Sequence, residues 1–114
     1  MWFGIGGAFV AAASALLWLT LQMGSSGRLK RNYWIGIRTP ATLKSDAAWL
    51  EGHHAAMVAI TPYSVGGVVA GIAALVQMGD ASSAQFAFWL AVLVFFAGLT
   101  RAAWVGIHAA RKAD

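Results

Sequence analysis

The sequence predicts an all-α membrane protein with three transmembrane helices and one structured loop between helices 1 and 2. Three observations carry this. The chain is 60% hydrophobic and only 11% charged, whereas a soluble domain carries about 25% charged residues. Residues 2–23, 55–78 and 81–100 are uncharged runs. The basic residues collect in one connection. A chain of 114 residues cannot hide that much apolar surface from water by folding on itself, so the bilayer is its solvent. A single membrane domain over 1–114 follows.

The first span, 2–23, has Ser14, Thr20 and Gln22 as its only polar members. At about 1.5 Å per residue it crosses a hydrocarbon core of about 30 Å. It lacks a basic N-terminal region and a clear cleavage site, so it reads as a helix and not as a leader. The second span covers 55–78, and the third is drawn over 84–107, from the run that starts at Ala81. The loop 24–52 holds Arg28, Lys30, Arg31, Arg38 and Lys44, the link near Gly79 to Ser83 holds Asp80 and no basic residue, and the tail holds Arg111 and Lys112. Basic residues favour the cytoplasmic side. The N-terminus is therefore expected outside, the loop and C-terminus cytoplasmic. Trp2, Phe3, Phe86 and Trp89 fit an outer aromatic belt, and Trp34, Trp49 and Trp104 an inner one.

Small residues mark helix contacts. Gly67 and Gly71 form a GxxxG, and Gly4, Gly7, Ala8, Ala11 and Ala12 form a stripe on the first span; both allow close backbone approach in lipid. Packing within the bundle, a homo-oligomer or a larger membrane complex are all open to them. Pro62 frees the carbonyl of Val58 and predicts a kink, with Thr61 and Ser64 available to freed backbone groups.

The loop is too long for a plain connector. Asn32 suits an Asx turn. Gly36, between two isoleucines, marks positive φ or close packing. Thr39 precedes Pro40 and is held extended. Ser45 is an N-cap candidate, Asp46 suits the first helical turn, and a helix then runs into the second span, with Trp49 anchored at the interface. Arg38, among rigid neighbours, suits a lipid phosphate or a pairing with Asp46 or Glu51. His53 falls one turn after Trp49, where the rings can stack. His53 and His54 point about 100° apart on a helix and make no metal site by themselves. Arg101 suits snorkelling or an acidic partner, and His108 an interfacial place.

Several classes are excluded or disfavoured. Without cysteines there are no disulfides or thiolate metal sites. The net charge of +4 lies at the ends of apolar runs, which suits the lipid bilayer and not nucleic acid. No nucleophile–base pair, paired carboxylates or phosphate-cradling loop is present, so no enzyme, cofactor or metal is expected.

The stretch NYWIGIRTPATLKSDAAWLEGH, residues 32–53, resembles the signature of the SdpI family, named for the immunity protein against the sporulation-delaying toxin. Asn32, Gly36, Arg38, Thr39, Pro40, Thr42, Ser45, Trp49 and His53 occupy its motif positions. One helix before the motif and two after it agree with the family layout. The founding type is longer, with extra N-terminal helices, and this chain corresponds to the motif-bearing module. The resemblance implies a multi-pass protein of the bacterial inner membrane that protects against a membrane-active toxin peptide, or senses it and sequesters a cytoplasmic repressor. The alternative is a small accessory subunit docked on a larger membrane complex.

Overall fold

The structure is a computed structural model that describes residues 1–114. It is all-helical: α1 is Trp2–Ser26, α2 Pro40–Leu43, α3 Asp46–Val76 and α4 Ala81–Lys112. Three of these, α1, α3 and α4, are long and apolar enough to cross a membrane.

The helix ends have local causes. Gly27, at φ +83°, stops α1, and the Leu29 N–H closes back on the Met23 carbonyl at 3.0 Å. Positive φ is open to glycine and strained for most other residues. Ser45 caps α3, its Oγ accepting from the Ala48 N–H at 3.0 Å. The helix that carries the second span therefore starts at Asp46, well before the uncharged run. Asp80 starts α4 by accepting from the Ser83 hydroxyl at 2.9 Å, and α4 continues to Lys112, with Arg111 and Lys112 in its last turn. Cations there favour the helix dipole.

α3 runs through Pro62 without interruption. Thr61 donates to the Met57 carbonyl at 2.7 Å, not to that of Val58. Its Oγ also accepts from the Trp18 indole N–H at 3.1 Å. Ser64 Oγ is buried without a partner, so it does not satisfy a backbone group freed by Pro62.

Contacts gather into two compact units, one of Met1–Leu17 with Pro62–Gly98 and one of Trp18–Thr61 with Leu99–Asp114. In the first unit the GxxxG meets the small-residue stripe. A Cβ on Gly7 would lie 2.5 Å from Ala74 Cβ and 2.6 Å from the Gly71 carbonyl oxygen, and one on Gly71 would lie 2.9 Å from Ala11 Cβ. A Cβ on Gly67 would likewise lie 2.5 Å from Ser14 Oγ. These glycines thus serve packing within the chain. Ala12 lies on the exposed side of α1, outside this seam. Phe3 and Phe88 add an aromatic pair with centroids 5.5 Å apart. In the second unit α3 and α4 approach at Gly52 and Gly106: a Cβ on Gly106 would meet the Gly52 carbonyl oxygen at 2.9 Å.

Overpacking a seam of this kind costs about 1–3 kcal/mol. Gly71→Val should therefore lower the thermal unfolding midpoint in detergent, while Gly79→Val, which has nothing within 4 Å of its new Cβ, should leave it near wild type. Equal midpoints for the two variants would contradict the seam.

Candidate functional site: the loop folded over His53

The loop lies in the second unit and is built from its own polar side chains. Asn32 opens it: its Oδ1 accepts from the Trp34 and Ile35 N–H groups, both at 2.8 Å, and its Nδ2 donates to the Lys30 carbonyl at 2.7 Å. Gly36 follows at φ +104°, as its place between two isoleucines predicts. Thr39, extended ahead of Pro40, caps α2 in a capping box with Thr42, and Pro40 fills the first helical turn. Pro there gives up an N–H that has no helical partner anyway. The Thr42 hydroxyl, fully buried, accepts from the Thr39 N–H at 2.9 Å and donates toward the Ile37 carbonyl. Ser45 then starts α3.

His53 holds this loop down. Its side chain is fully buried. Nε2 lies 3.0 Å from the Ile37 N, and Nδ1 lies 2.8 Å from the Trp49 carbonyl oxygen. An amide N–H can only donate and a carbonyl can only accept. The two partners therefore assign the neutral ring with its proton on Nδ1. Trp49 covers the ring, with centroids 4.1 Å apart. A Cβ on Gly36 would come within 2.7 Å of Nε2, and one on Gly24 would run into the ring from α1. The imidazole thus fills a slot between two glycines.

Trp49 corrects an expectation. It is 1% exposed and is not an interface anchor. Its indole N–H donates to the Leu29 carbonyl at 2.8 Å, which ties the start of the loop to α3. Arg38 differs as well. Asp46 pairs with Arg31, Nε to Oδ1 at 3.3 Å, and Arg31 also donates to the Leu43 carbonyl at 3.1 Å. That ion pair is largely exposed and adds little by itself. Arg38 has no carboxylate partner; its Nη1 donates to the Tyr33 carbonyl at 3.1 Å and the rest of the guanidinium is exposed.

Sequence reasoning missed four features. Tyr33, Trp34 and Ile35 form an exposed apolar tip, at 75%, 85% and 54% exposure. Lys44 reaches the Arg111 carbonyl at 3.2 Å, so the loop also fastens onto the end of α4. Gly24 faces His53, and Gly52 with Gly106 let Thr42, Ile37 and Ala110 pack closely. Gly106, inside an apolar stretch of α4, carried a local signal; Gly24, in a Gly-Ser-Ser-Gly run, and Gly52, between Glu51 and His53, did not. His54 is exposed, away from His53, and no group of three His, Asp or Glu side chains is placed to hold a metal.

Eight of the nine motif residues thus build the loop or lock it, and only Arg38 offers most of its functional group outward. A model of the SdpI/YfhL protein family matches residues 28–108, which takes in this loop, α3 and most of α4. The chain belongs to the SdpI/YfhL protein family. No curated protein and no solved structure matches it. With three helices able to span, this is a multi-pass membrane protein of SdpI type. The match begins at Arg28, two residues past the end of α1.

Removing the His53 ring leaves the half-buried Ile37 N–H without an acceptor, at up to about 1–3 kcal/mol. His53→Leu should make the loop susceptible to trypsin at Lys30, Arg31 and Arg38 in detergent, and His54→Leu should not. Identical digestion of both variants would show that the loop does not depend on the ring.

Proposed function

We propose that this SdpI-type protein acts without catalysis, in toxin immunity or resistance signalling at the bacterial inner membrane. Its loop acts from the cytoplasmic face. What supports this is the division of labour in the motif: all but one of its residues are taken up in folding, and a rigid loop then presents Arg38. The guanidinium has a fixed direction through the Tyr33 carbonyl and keeps N–H donors for a carboxylate or phosphate on a toxin peptide or a cytoplasmic repressor. The orientation rests on the basic residues: Arg28, Lys30, Arg31, Arg38 and Lys44 in the loop against none in the link around Asp80.

The alternative is a small accessory subunit docked on a larger membrane complex. A shallow groove in the first unit favours it, where Gly66, Ala70, Ala73 and Ala87 lie among larger side chains such as Val69 and Phe86, since small residues of that kind admit a neighbouring helix. Copurification from native lipid separates the two. A stoichiometric large partner supports the accessory reading; toxin sensitivity on deletion, with no such partner, supports immunity.

Two measurements test the leading reading. Single cysteines at Ser26 and Ser82, in a chain with none of its own, should react with an impermeant thiol reagent on intact cells only at Ser82; the reverse pattern inverts the orientation. Arg38→Lys keeps the charge and loses the planar fork. It should insert normally but reduce protection against the toxin severalfold, whereas Lys30→Arg should protect like wild type. Full protection by Arg38→Lys would make Arg38 only a topological charge.

A further inference from the structure

The depth of the loop tip follows from where the helices leave the hydrocarbon. α3 has 31 residues and α4 has 32, and about 20 residues cross the hydrocarbon core. On the loop side, within the second unit, the uncharged run of α4 ends at the exposed Arg101 and that of α3 ends at the exposed His54. Both ends need water, so the hydrocarbon edge lies near Met57 on α3, one turn inside His54, and near Arg101 on α4. His53 then lies about 6 Å past the hydrocarbon edge, inside a headgroup layer about 5–8 Å thick.

The loop does not rise away from that layer. The Ile37 N–H is bonded to His53 Nε2, and Ile37 Cδ1 would be 3.1 Å from a Cβ on Gly106. The chain has therefore folded back beside the helices by residue 37, at headgroup depth. Tyr33, Trp34 and Ile35 immediately precede this point, contiguous and exposed, a composition that suits a bilayer interface. Arg38 is tied to the Tyr33 carbonyl, which brings its guanidinium beside them. Arg28 and Lys30 are exposed nearby in sequence, and Asp46, at the start of α3, is already paired with Arg31.

We propose that the tip Tyr33–Trp34–Ile35 is an interfacial wedge that inserts among anionic phospholipid headgroups, with Arg28 and Lys30 engaging their phosphates and Arg38 left to the loop's protein partner. The wedge fixes the loop against the bilayer surface whatever the loop's protein partner, and on whichever side the loop emerges. It operates in lipid alone.

The chain has no cysteine, so a nitroxide can be placed at one site. The full-length protein carrying Tyr33→Cys or, separately, Ile35→Cys is labelled and reconstituted into vesicles of phosphatidylcholine with or without phosphatidylglycerol. Collision with oxygen and with a water-soluble nickel chelate is then measured, with Ser26→Cys as the exposed control. With phosphatidylglycerol present, labels at 33 and 35 should lose nickel access severalfold and gain oxygen access relative to position 26. Raising salt from about 0.1 to 1 M, which shortens the Debye length from about 10 to 3 Å, should reverse part of this shift. Arg28→Gln with Lys30→Gln should weaken the phosphatidylglycerol dependence, by about fivefold for each cation removed. Nickel access at 33 and 35 equal to that at 26 in both lipids overturns the wedge. Equal shielding in the two lipids overturns the phosphate contacts. Shielding in native membranes that is absent from both vesicles assigns the tip to a protein partner and overturns the proposal, while leaving the toxin-immunity reading intact.

Discussion

The imidazole of His53 is the contact on which the loop depends, because it joins the middle of the loop to α3 through both of its nitrogens. A loop of this length without a strand ladder must find partners for its backbone groups elsewhere. The Ile37 N–H finds Nε2, and the opposite edge of the same ring is fixed by the Trp49 carbonyl one turn earlier on α3. One flat side chain thus accepts on one edge and donates on the other. A flexible amide could reach only one of these partners from the same backbone position. The slot for the ring exists because Gly24 and Gly36 lack Cβ atoms, each of which would collide with it. Gly36, Trp49 and His53 are one physical object spread along the sequence.

The other motif residues follow from that pin. Once Ile37 is fixed to α3, the chain has few residues in which to return to the start of the same helix. Pro40, with its preset φ, and the reciprocal bonds of Thr39 and Thr42 turn it within one short helix. Ser45 then restarts it as α3. On the other side of the pin, Asn32 closes the opening turn and the Trp49 indole ties down Leu29. The motif is thus largely a record of how one loop satisfies its backbone. Substitution at most of these positions will read first as lost stability, and only substitution at exposed groups separates recognition from folding.

What was legible in the sequence divides along the same line. The three helices were legible because an uncharged run of that length has one economical fate in lipid. The Asn32 turn, the positive φ at Gly36, the Ser45 cap and the stacking of His53 on Trp49 were also legible, since each is decided by residues within four positions. Partners far apart in sequence were not. Nothing near Trp49 announces that Leu29 will take its N–H, and composition gives no way to tell buried Trp49 from exposed Trp34. Asp46 illustrates the same limit: Arg31 and Arg38 are equally plausible partners by charge, and only the path of the loop brings Arg31 to it. Helix ends were blurred for a further reason. Hydropathy marks where a helix leaves the hydrocarbon, whereas caps such as Ser45 and Asp80 mark where it starts.

A second Trp–His pair shows how much of the site lies in the loop and how little in the helix. Trp104 and His108 on α4 repeat the geometry of Trp49 and His53, with ring centroids again 4.1 Å apart and Nδ1 2.9 Å from the tryptophan carbonyl oxygen. The i, i+4 spacing on a helix is sufficient to make such a pair. Yet Trp104 is 64% exposed, and its pair stays on the surface. The first pair differs because a glycine on α1 and a glycine in the loop close over it, and because a loop amide comes to the free ring nitrogen. Burial converts a routine helical contact into a fixed point. The rigidity that holds Arg38 and the aromatic tip at one height therefore arises from the match between the loop and α3, not from either alone.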